Sequence, residues 1–490
     1  MRRAVLASVG IVLVAVAPRA QVPAPAEPVP STKGLVLKGR APVSDEILRV
    51  RLPRPAEADL PNGLHLMVLE DRHTPLVFLQ MVVPGAGGYF DPPDLPGLAS
   101  FTAGMTREGT TTRSSREISE ELERLAASVN VSAGLSSPSA TLTASSLTEH
   151  FEATLRIAAD VLLNPTFPPE EVERFRQRTR GQLVQQRANP GFLAMERFNR
   201  ALFGDHPAGR VAPSLEALDR LTPARLAEFH KARYAPDHAI LAIAGDISMA
   251  EARRLVERVF GGWARRGIPE PAVTDPPTPE GARVSLVARP GSVQTNLVVG
   301  VQAIRRTDPD YEALTVMNRI IGGGPAGRLF LHLREQKGYT YGAYSSFSAG
   351  RYRGAWQAST SVRTEVTEPA LRDLLAEIAR LRDEPVPAAE LQTAKRAMVA
   401  AFALSLEDPS EVLDYYVTSR LYRLPADYWD RYPERLMQVT AADVQAAARK
   451  YLDAGRLRIV AVGDADKVRE ILAQQGALEV YDADGRRVSE

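Results

Sequence analysis

Residues 241–246 read LAIAGD, and residues 459–464 read IVAVGD. A longer pair of stretches lies upstream of each: FPPEEVERFRQRTRGQLVQQRANP at 167–190 and VPAAELQTAKRAMVAAFALSLEDP at 386–409. The aspartates that close the shorter pair and the prolines that close the longer pair are separated by nearly the same length of chain. Two matches at nearly one offset predict that the chain contains one domain twice.

Each half of the chain mixes strand and helix patterns. Residues 64–69 and 76–83 are apolar, β-rich runs on either side of a short turn, and residues 284–288 and 295–303 repeat this pattern. Residues 311–321 carry apolar side chains at helical spacing. Because neighbouring strands joined by short turns favour antiparallel pairing, we predict an α+β fold of two homologous domains, each a mainly antiparallel sheet packed with helices.

The composition is that of an ordinary globular protein. The chain has 490 residues, of which 44% are hydrophobic and 24% are charged, and 60 basic residues nearly balance 59 acidic ones. No block of like charge indicates a nucleic-acid surface. Cysteine is absent, which excludes disulfides, thiol nucleophiles and a lipoprotein anchor.

The N-terminus has the pattern of an export signal. Arg2 and Arg3 precede an uncharged apolar run at 4–17, which is short for a membrane span. We predict a signal peptide at 1–20 and an exported protein, periplasmic in a Gram-negative source, with no stable membrane span in the mature chain. Retention of the signal as an anchor is the alternative.

Proline-rich segments mark the predicted boundaries of the domains. We predict a Pro-rich linker at 21–48, a first domain at 49–264, a second Pro-rich linker at 265–282, a second domain at 283–480 and a tail at 481–490. The second linker is expected to be exposed and to make few contacts.

Two stretches, together with the duplication, resemble one family. The first is GGYFDPPDLPGLASFTAGMTREGT at 87–110, which is followed by a helix start of the capping-box type at Ser114 and Glu117. The second, IIGGGPAGRLFLHLREQKGYTYGAYSSFS at 320–348, combines a glycine-rich turn, a short helix, an Arg and a Tyr seven residues later. They resemble the pitrilysin/insulinase superfamily of inverzincin metallopeptidases, in its mitochondrial-processing-peptidase-like branch, over residues 50–475. The resemblance implies a duplicated half-chamber.

This sequence departs from the family at the expected metal site. The family carries H-x-x-E-H on a helix, where two imidazoles bind zinc and the Glu acts as general base. The aligned positions hold Ser100, Ala103 and Gly104, and the expected distal acid falls near Gly181 and Gln182. No two histidines stand three or four residues apart, so each is expected to be an ordinary surface or capping residue. We predict a degenerate metal site and no metal or other cofactor in this chain.

The second stretch keeps the residues that act beside the metal in catalytic relatives. There, the matching Arg and Tyr hold the substrate backbone and help to stabilise the oxyanion. The resemblance therefore implies Arg334 and Tyr341 as catalytic residues, and Gly322, Gly323 and Gly324 as substrate-binding residues.

The favoured hypothesis is a non-catalytic subunit of a heteromeric zinc metalloendopeptidase, a pseudoenzyme that is inactive alone. Its homologous partner chain would carry H-x-x-E-H and the zinc, and the substrate would be a peptide, with no nucleic acid involved. The alternative is a scaffold or peptide-binding protein of peptidase fold without a proteolytic role. An active peptidase on its own is disfavoured because the base and the ligands are missing.

Overall fold

The structure is a computed structural model that describes residues 47–488. The predicted signal peptide at 1–20 and nearly all of the predicted linker at 21–48 lie outside the described residues. From Ile47 onward, the chain forms one compact unit.

The strands of the described residues form two six-stranded sheets. In chain order, the strands are β1 (Ala56–Asp59), β2 (His65–Glu70), β3 (Leu76–Pro84), β4 (Ser128–Ala133), β5 (Ser139–Leu147), β6 (Ile240–Gly245), β7 (Arg283–Ala288), β8 (Gln294–Gln302), β9 (Thr340–Phe347), β10 (Ala355–Arg363), β11 (Arg458–Gly463) and β12 (Leu478–Tyr481). The first sheet has the order β1-β2-β6-β3-β5-β4, and the second has the order β12-β7-β11-β8-β10-β9.

Helices pack against both sheets. In chain order, they are α1 (Leu98–Met105), α2 (Ser115–Arg124), α3 (Phe151–Leu163), α4 (Pro169–Arg187), α5 (Pro190–Phe203), α6 (Leu215–Arg220), α7 (Pro223–Arg233), α8 (Met249–Phe260), α9 (Tyr311–Ile321), α10 (Thr367–Asp383), α11 (Ala388–Ser405), α12 (Pro409–Tyr422), α13 (Tyr432–Gln438), α14 (Ala441–Tyr451) and α15 (Ala465–Ala473). A π-helix at Phe330–Gln336 lies between α9 and β9. The predicted helix at 311–321 is confirmed as α9, and Ser114 and Glu117 form the predicted capping box of α2.

The topology confirms the duplication and the predicted α+β fold class. The central strands β6 and β11 are buried along their whole length. They have equivalent neighbours, since β6 lies between β2 and β3 and β11 lies between β7 and β8. Asp246 and Asp464 directly follow these two strands, as the sequence repeat requires. The sheets differ at one edge, where β1 pairs antiparallel with β2 but β12 pairs parallel with β7.

The strands expected to pair around short turns do not pair with each other. The central strand β6 lies between β2 and β3, parallel to β2 and antiparallel to β3. In the second sheet, β11 separates β7 from β8 in the same way. The prediction of these two hairpins is therefore wrong. Inserting β6 or β11 pairs both edges of a largely apolar strand and buries both its faces.

The two halves exchange helices across the molecule. Helix α5 of the first half packs on the second sheet, where Phe198 and Leu202 join a buried cluster with Val298 and Val460. Helix α12 of the second half packs on the first sheet in the corresponding position, through a cluster that includes Val412. Each sheet is thus covered on its second face by a helix of the other half.

The Pro-rich linker at 265–282 is attached to both halves, so the expectation of few contacts is wrong. The Asp275 carboxylate accepts two hydrogen bonds from the Arg305 guanidinium, at 2.9 and 2.7 Å. On the other side, the Tyr89 hydroxyl accepts from the backbone N–H of Thr274 at 2.9 Å. Prolines lack an N–H, but their carbonyls and the acidic side chains between them remain available to arginines.

Within residues 47–488, no helix is long and apolar enough to cross a membrane.

Candidate functional site

Helix α1 occupies the place of the expected H-x-x-E-H helix. Its start is built by Asp91, whose carboxylate accepts the backbone N–H groups of Gly97 at 2.7 Å and Ala99 at 2.8 Å. Asp91 is only 5% exposed, and this burial raises its pKa to about 6. The carboxylate satisfies N–H groups that the first turn of a helix leaves without partners.

The space beside Gly104 is filled by a phenylalanine of α4. A Cβ atom added to Gly104 would lie 2.6 Å from Cζ of Phe175, closer than carbon atoms approach. The Phe175 ring also meets Phe101 edge-on, with ring centroids 4.6 Å apart. The guanidinium of Arg178 lies 4.8 Å from the Phe175 ring centroid and pairs with Glu108. Aromatic packing and an ion pair therefore occupy this corner.

The residues at the expected metal site do not fit zinc. Ser100 offers one hydroxyl, whereas Ala103 is fully buried and neither it nor Gly104 has a donor atom in its side chain. On α4, Gly181 has no side chain and Gln182 is exposed. Zinc in such sites takes imidazole and carboxylate ligands. Across residues 47–488, no group of three or more histidines, aspartates and glutamates is placed to hold a metal ion.

One histidine differs from the expectation that all are surface or capping residues. His65 is 6% exposed, and its two ring nitrogens lie 2.7 Å from an Asp59 carboxylate oxygen and 3.1 Å from a Glu57 carboxylate oxygen. Both carboxylates belong to β1, so His65 fastens this strand to β2. Glu57 and Asp59 alternate along β1, and this alternation was the signal in the sequence that could have predicted a shared partner for the two carboxylates.

Arg334 lies in the π-helix, in its last turn as predicted, and its side chain is 43% exposed. The guanidinium is 4.7 Å from the ring centroid of Phe330, and one nitrogen lies 2.6 Å from a carboxylate oxygen of Glu335. Phe330 in turn packs on Tyr344 of β9, with centroids 5.5 Å apart. This stack fixes the direction of Arg334 relative to the edge strand. π-Helical turns recur at functional sites.

Tyr341 lies on a β-bulge of β9, the edge strand of the second sheet. Tyr341 and Gly342 together oppose the single residue Ser361 of β10. The Thr340 hydroxyl donates to the Ser361 carbonyl at 2.7 Å, and the Thr360 hydroxyl donates to the Gly342 carbonyl at 3.0 Å, which holds the bulge. Tyr341 is 91% exposed. Bulges redirect a side chain away from the regular alternation of a strand.

Arg334 and Tyr341 lie on adjacent elements, but no hydrogen bond or ring contact joins them within the described residues. Gly338, between them, has φ +63° and ends the helical segment, as the sequence predicts for a glycine just past a helix. The two side chains are therefore both exposed, on neighbouring elements of one corner of the second half.

The glycine-rich turn packs against the same edge strand. The Gly322 carbonyl accepts the backbone N–H of Ser345 at 2.8 Å, and a Cβ at Gly322 would lie 2.6 Å from that nitrogen. The Gly323 carbonyl accepts from Arg319 at 2.7 Å. The absence of side chains thus serves a close approach of two backbones. A role for Gly322, Gly323 and Gly324 in substrate binding stays a prediction.

Sequence reasoning missed the residues that anchor the π-helix. Arg328, 8% exposed, donates two hydrogen bonds of 2.8 Å to the Glu390 carboxylate on α11. His332 lies 2.9 Å from a Glu377 carboxylate oxygen on α10. The spacing of four residues between Arg328 and His332 places them on one face and was the signal that could have identified them.

The sequences of the two halves match the models of two domain families that belong to one peptidase family. Residues 66–212 match the model described as "Insulinase (Peptidase family M16)", and residues 220–398 match the model described as "Peptidase M16 inactive domain". Fold and matches define a peptidase-like protein built from two related halves. The chain belongs to peptidase family M16, the insulinase/pitrilysin family.

Relatives from several bacteria match along most of the chain. An uncharacterised zinc protease of Mycobacterium leprae is 27% identical over 410 residues, covering 80% of this chain and 88% of the relative. The uncharacterised zinc protease YmxG of Bacillus subtilis is 26% identical and covers 71% of this chain and 83% of its own. A crystal structure described as a peptidase M16 inactive domain from Pseudomonas fluorescens superposes with a TM-score of 0.78 at 27% identity, covering 84% of this chain and 98% of that chain.

Proposed function

We propose that this chain is the non-catalytic subunit of a two-chain zinc metallopeptidase, whose homologous partner carries H-x-x-E-H and the zinc. One observation carries the proposal. The corner of the first half that would hold the metal is packed with Phe175, whereas the equivalent corner of the second half presents Arg334 and Tyr341 to solvent.

Arg334 and Tyr341 have the chemistry to assist acyl transfer at a neighbouring site. A guanidinium offers several donors to a peptide backbone, and a phenol hydroxyl donates to the oxyanion that develops on the scissile carbonyl. The Arg334–Glu335 pair is exposed, and such pairs contribute only about 0–1 kcal/mol, so a peptide displaces Glu335 at little cost. Phe330 packs on the Arg334 guanidinium, and the bulge fixes the backbone from which Tyr341 extends, and preorganised donors favour the transition state.

The relatives support the peptidase assignment at the level of their names. The Mycobacterium leprae and Bacillus subtilis proteins are called zinc proteases, and both cover most of this chain. We extend the peptidase context to this chain, and we place the zinc in its partner because the residues around α1 do not fit it.

We also propose that the chain is exported, on the strength of the apolar run at 4–17 after Arg2 and Arg3. Deletion of residues 1–20 is expected to leave the protein in the cytoplasm, since the export machinery would no longer recognise it. Fractionation of cells that express the full and the deleted forms measures this, and equal periplasmic recovery of both would contradict it.

The experiment for the subunit role is affinity purification of the tagged, full-length chain from its native source. We expect a homologous chain with H-x-x-E-H to co-purify. The complex should contain zinc and cleave a quenched fluorescent peptide, and a chelator should abolish this cleavage. The isolated chain should contain no stoichiometric zinc and cleave nothing.

Two results would overturn the proposal. About one zinc per isolated chain, removable together with a peptidase activity, would make this chain an enzyme in its own right. Co-purification only of proteins without H-x-x-E-H, with no peptide cleavage by the assembly, would replace the proposal with the scaffold role.

A further inference from the structure

A pocket of about 440 Å³ lies between α5, the segment 204–214 and the C-terminal turn at 482–485. Its walls combine apolar side chains, including Leu193 and Val287, with several arginines. Neither Arg334 nor Tyr341 lines it. A pocket of this size that mixes apolar walls with a few charged groups has the composition of a small-ligand site.

Each of the acidic side chains that line this pocket already has a partner. The pairs are Glu196 with Arg187, Asp205 with Arg200, Asp484 with Arg486, and Asp482 with backbone N–H groups of its own turn. These carboxylates therefore leave no negative charge in the pocket without a compensating donor.

Arg197 is different from the other arginines of the pocket. Its guanidinium lies 4.0 Å from the ring centroid of Tyr481, but within the described residues it has no hydrogen bond and no ion pair. Its Nε is buried without a partner, and burial lowers the pKa of the Arg197 guanidinium. Buried donors of this kind are nearly always satisfied in proteins, and an unpaired buried charge is costly.

The duplicated helix carries a different residue at the position of Arg197. Helices α5 and α12 can be aligned from the proline that begins each of them. In this alignment, Tyr416 of α12 is equivalent to Arg197 of α5. Tyr416 is buried, and its hydroxyl accepts a hydrogen bond from Arg54 at 3.2 Å. One copy of the helix therefore carries a satisfied aromatic residue where the other carries an unsatisfied guanidinium.

We propose that this pocket binds the carboxylate of a ligand through Arg197, with the apolar group next to that carboxylate against Leu193 and Val287. A guanidinium pairs with a carboxylate through two parallel hydrogen bonds, which would satisfy the buried Nε or its neighbours. A singly charged carboxylate matches one guanidinium, because the other arginines of the pocket already pair with carboxylates or donate to a backbone carbonyl. Two sources share this chemistry: the C-terminus of a peptide and a small organic acid.

The test measures binding to the isolated, full-length chain by fluorescence anisotropy. The probe is a fluorescein-labelled peptide, Ala-Gly-Ala-Gly-Ala-Leu, with a free C-terminal carboxylate, beside the same peptide as its amide. N-acetyl-leucine is the small-acid competitor. We expect the amide and the variant Arg197→Met each to weaken binding about 10- to 100-fold, the effect of one charge-assisted, bidentate pair. Arg197→Lys should retain part of the affinity.

The matched control is Arg156→Met, which removes an exposed arginine that pairs with Glu152 on α3, outside the pocket. It should bind like the wild type. If Arg197→Met lowers the melting temperature, the proposal is tested by two other comparisons. These are the affinity of the wild type for the peptide acid against the amide, and the affinity of Arg197→Lys against that of the wild type.

Every outcome is decisive. Equal binding of acid and amide, no binding of either peptide or of N-acetyl-leucine, or full binding by a folded Arg197→Met would overturn the proposal. Binding of the peptide acid that N-acetyl-leucine does not displace identifies a peptide C-terminus as the source. Binding of N-acetyl-leucine alone, measured as a rise in the melting temperature of the wild type that Arg197→Met abolishes, identifies a small organic acid. The measurement needs neither zinc nor the partner chain, so it fails or succeeds independently of the subunit role.

Discussion

The same corner of the fold occurs twice, and the two copies have opposite character. In the first half, α1 and α2 connect β3 to the edge strand β4, and α2 is a regular helix with a capping box. In the second half, α9, a glycine-rich turn and the π-helix connect β8 to the edge strand β9. The first corner is closed by Phe175, and the second directs Arg334 and Tyr341 outward.

The contrast shows that two copies of one fold can use the same corner differently, one for packing and the other to expose polar side chains. Gly104 on α1 admits the Phe175 ring, which packs against the core of the first half. In the second half, an irregular helix and a bulge re-aim polar side chains, at the expense of regular backbone geometry. Neither change alters the strand order of its sheet.

The largest expected effect is at the exposed corner. In the proposed complex with an H-x-x-E-H partner, Tyr341→Phe should reduce peptide turnover by about 10²- to 10³-fold, the loss that follows removal of one oxyanion donor. Arg334→Ala should reduce turnover and also weaken substrate binding, because a charged donor to the peptide is lost. Steady-state hydrolysis of a quenched fluorescent peptide measures both.

The control is Tyr339→Phe, which removes the hydroxyl of a half-buried tyrosine just before β9 that packs against the core. Thermal melting should be unchanged for Tyr341→Phe, because its ring is 91% exposed. If complexes that contain Tyr341→Phe or Arg334→Ala assemble and cleave at the wild-type rate, the second corner has no catalytic role, and the two corners do not differ in function.

The second effect compares the first residues of the two central strands. Arg458 begins β11, is 1% exposed and donates to the carbonyls of Ala201, Glu280 and Gly281, which joins the first half, the linker and the second half. Arg458→Met should lower the free energy of unfolding by about 3 kcal/mol, because buried carbonyls lose charged donors.

The equivalent residue of β6 is the buried Ile240, which has no hydrogen-bond donor in its side chain and lies in an apolar cluster. Ile240→Val should cost about 1 kcal/mol, the usual cost of one buried methylene. Urea unfolding of both variants gives the comparison. Equal losses would mean that Arg458 contributes packing alone and that the halves are joined elsewhere.

Local patterns in the sequence were sufficient for α9 and for the capping box of α2, because each rests on residues close together in the chain, and a direct match between two stretches was sufficient for the duplication. The position of β6 between β2 and β3 was not predictable in that way, because its partners lie in a distant part of the chain and their shared apolar character suits several pairings. The contacts of the linker through Asp275 were missed for the same reason.

The candidate site divides along the same line. Arg334 and Tyr341 were identified from a short motif, and the structure places both on exposed positions of one corner. Phe175 was not identified, because it reaches Gly104 from α4, which is separated from α1 by two strands and two helices. The irregular geometry of the π-helix and the bulge depends on anchors such as Arg328 and Glu390, which only the folded chain brings together.

The third effect tests whether the closed corner is tightly packed. In Gly104→Ala, the added Cβ would lie 2.6 Å from Cζ of Phe175, and this ring is held between Phe101 and Arg178. The variant should lower the free energy of unfolding by about 1–3 kcal/mol, as overpacking of a filled core does. An unchanged melting temperature would show that the corner has free space after all.

The smallest effect has the opposite sign and completes the comparison. Gly181, at the expected position of the distal acid, lies in the middle of α4 with no atom within 4 Å of an added Cβ. An exposed glycine inside a helix costs roughly 0.5–1 kcal/mol relative to alanine, because the unfolded chain is freer. Gly181→Ala should therefore raise the free energy of unfolding by about that amount, measured by urea denaturation beside Gly104→Ala. Gly104 and Gly181 stand at two positions of the expected metal site, yet only Gly104 is packed against another side chain, that of Phe175. Destabilisation by Gly181→Ala would mean that α4 is constrained at this point by a contact that its exposed surface does not reveal.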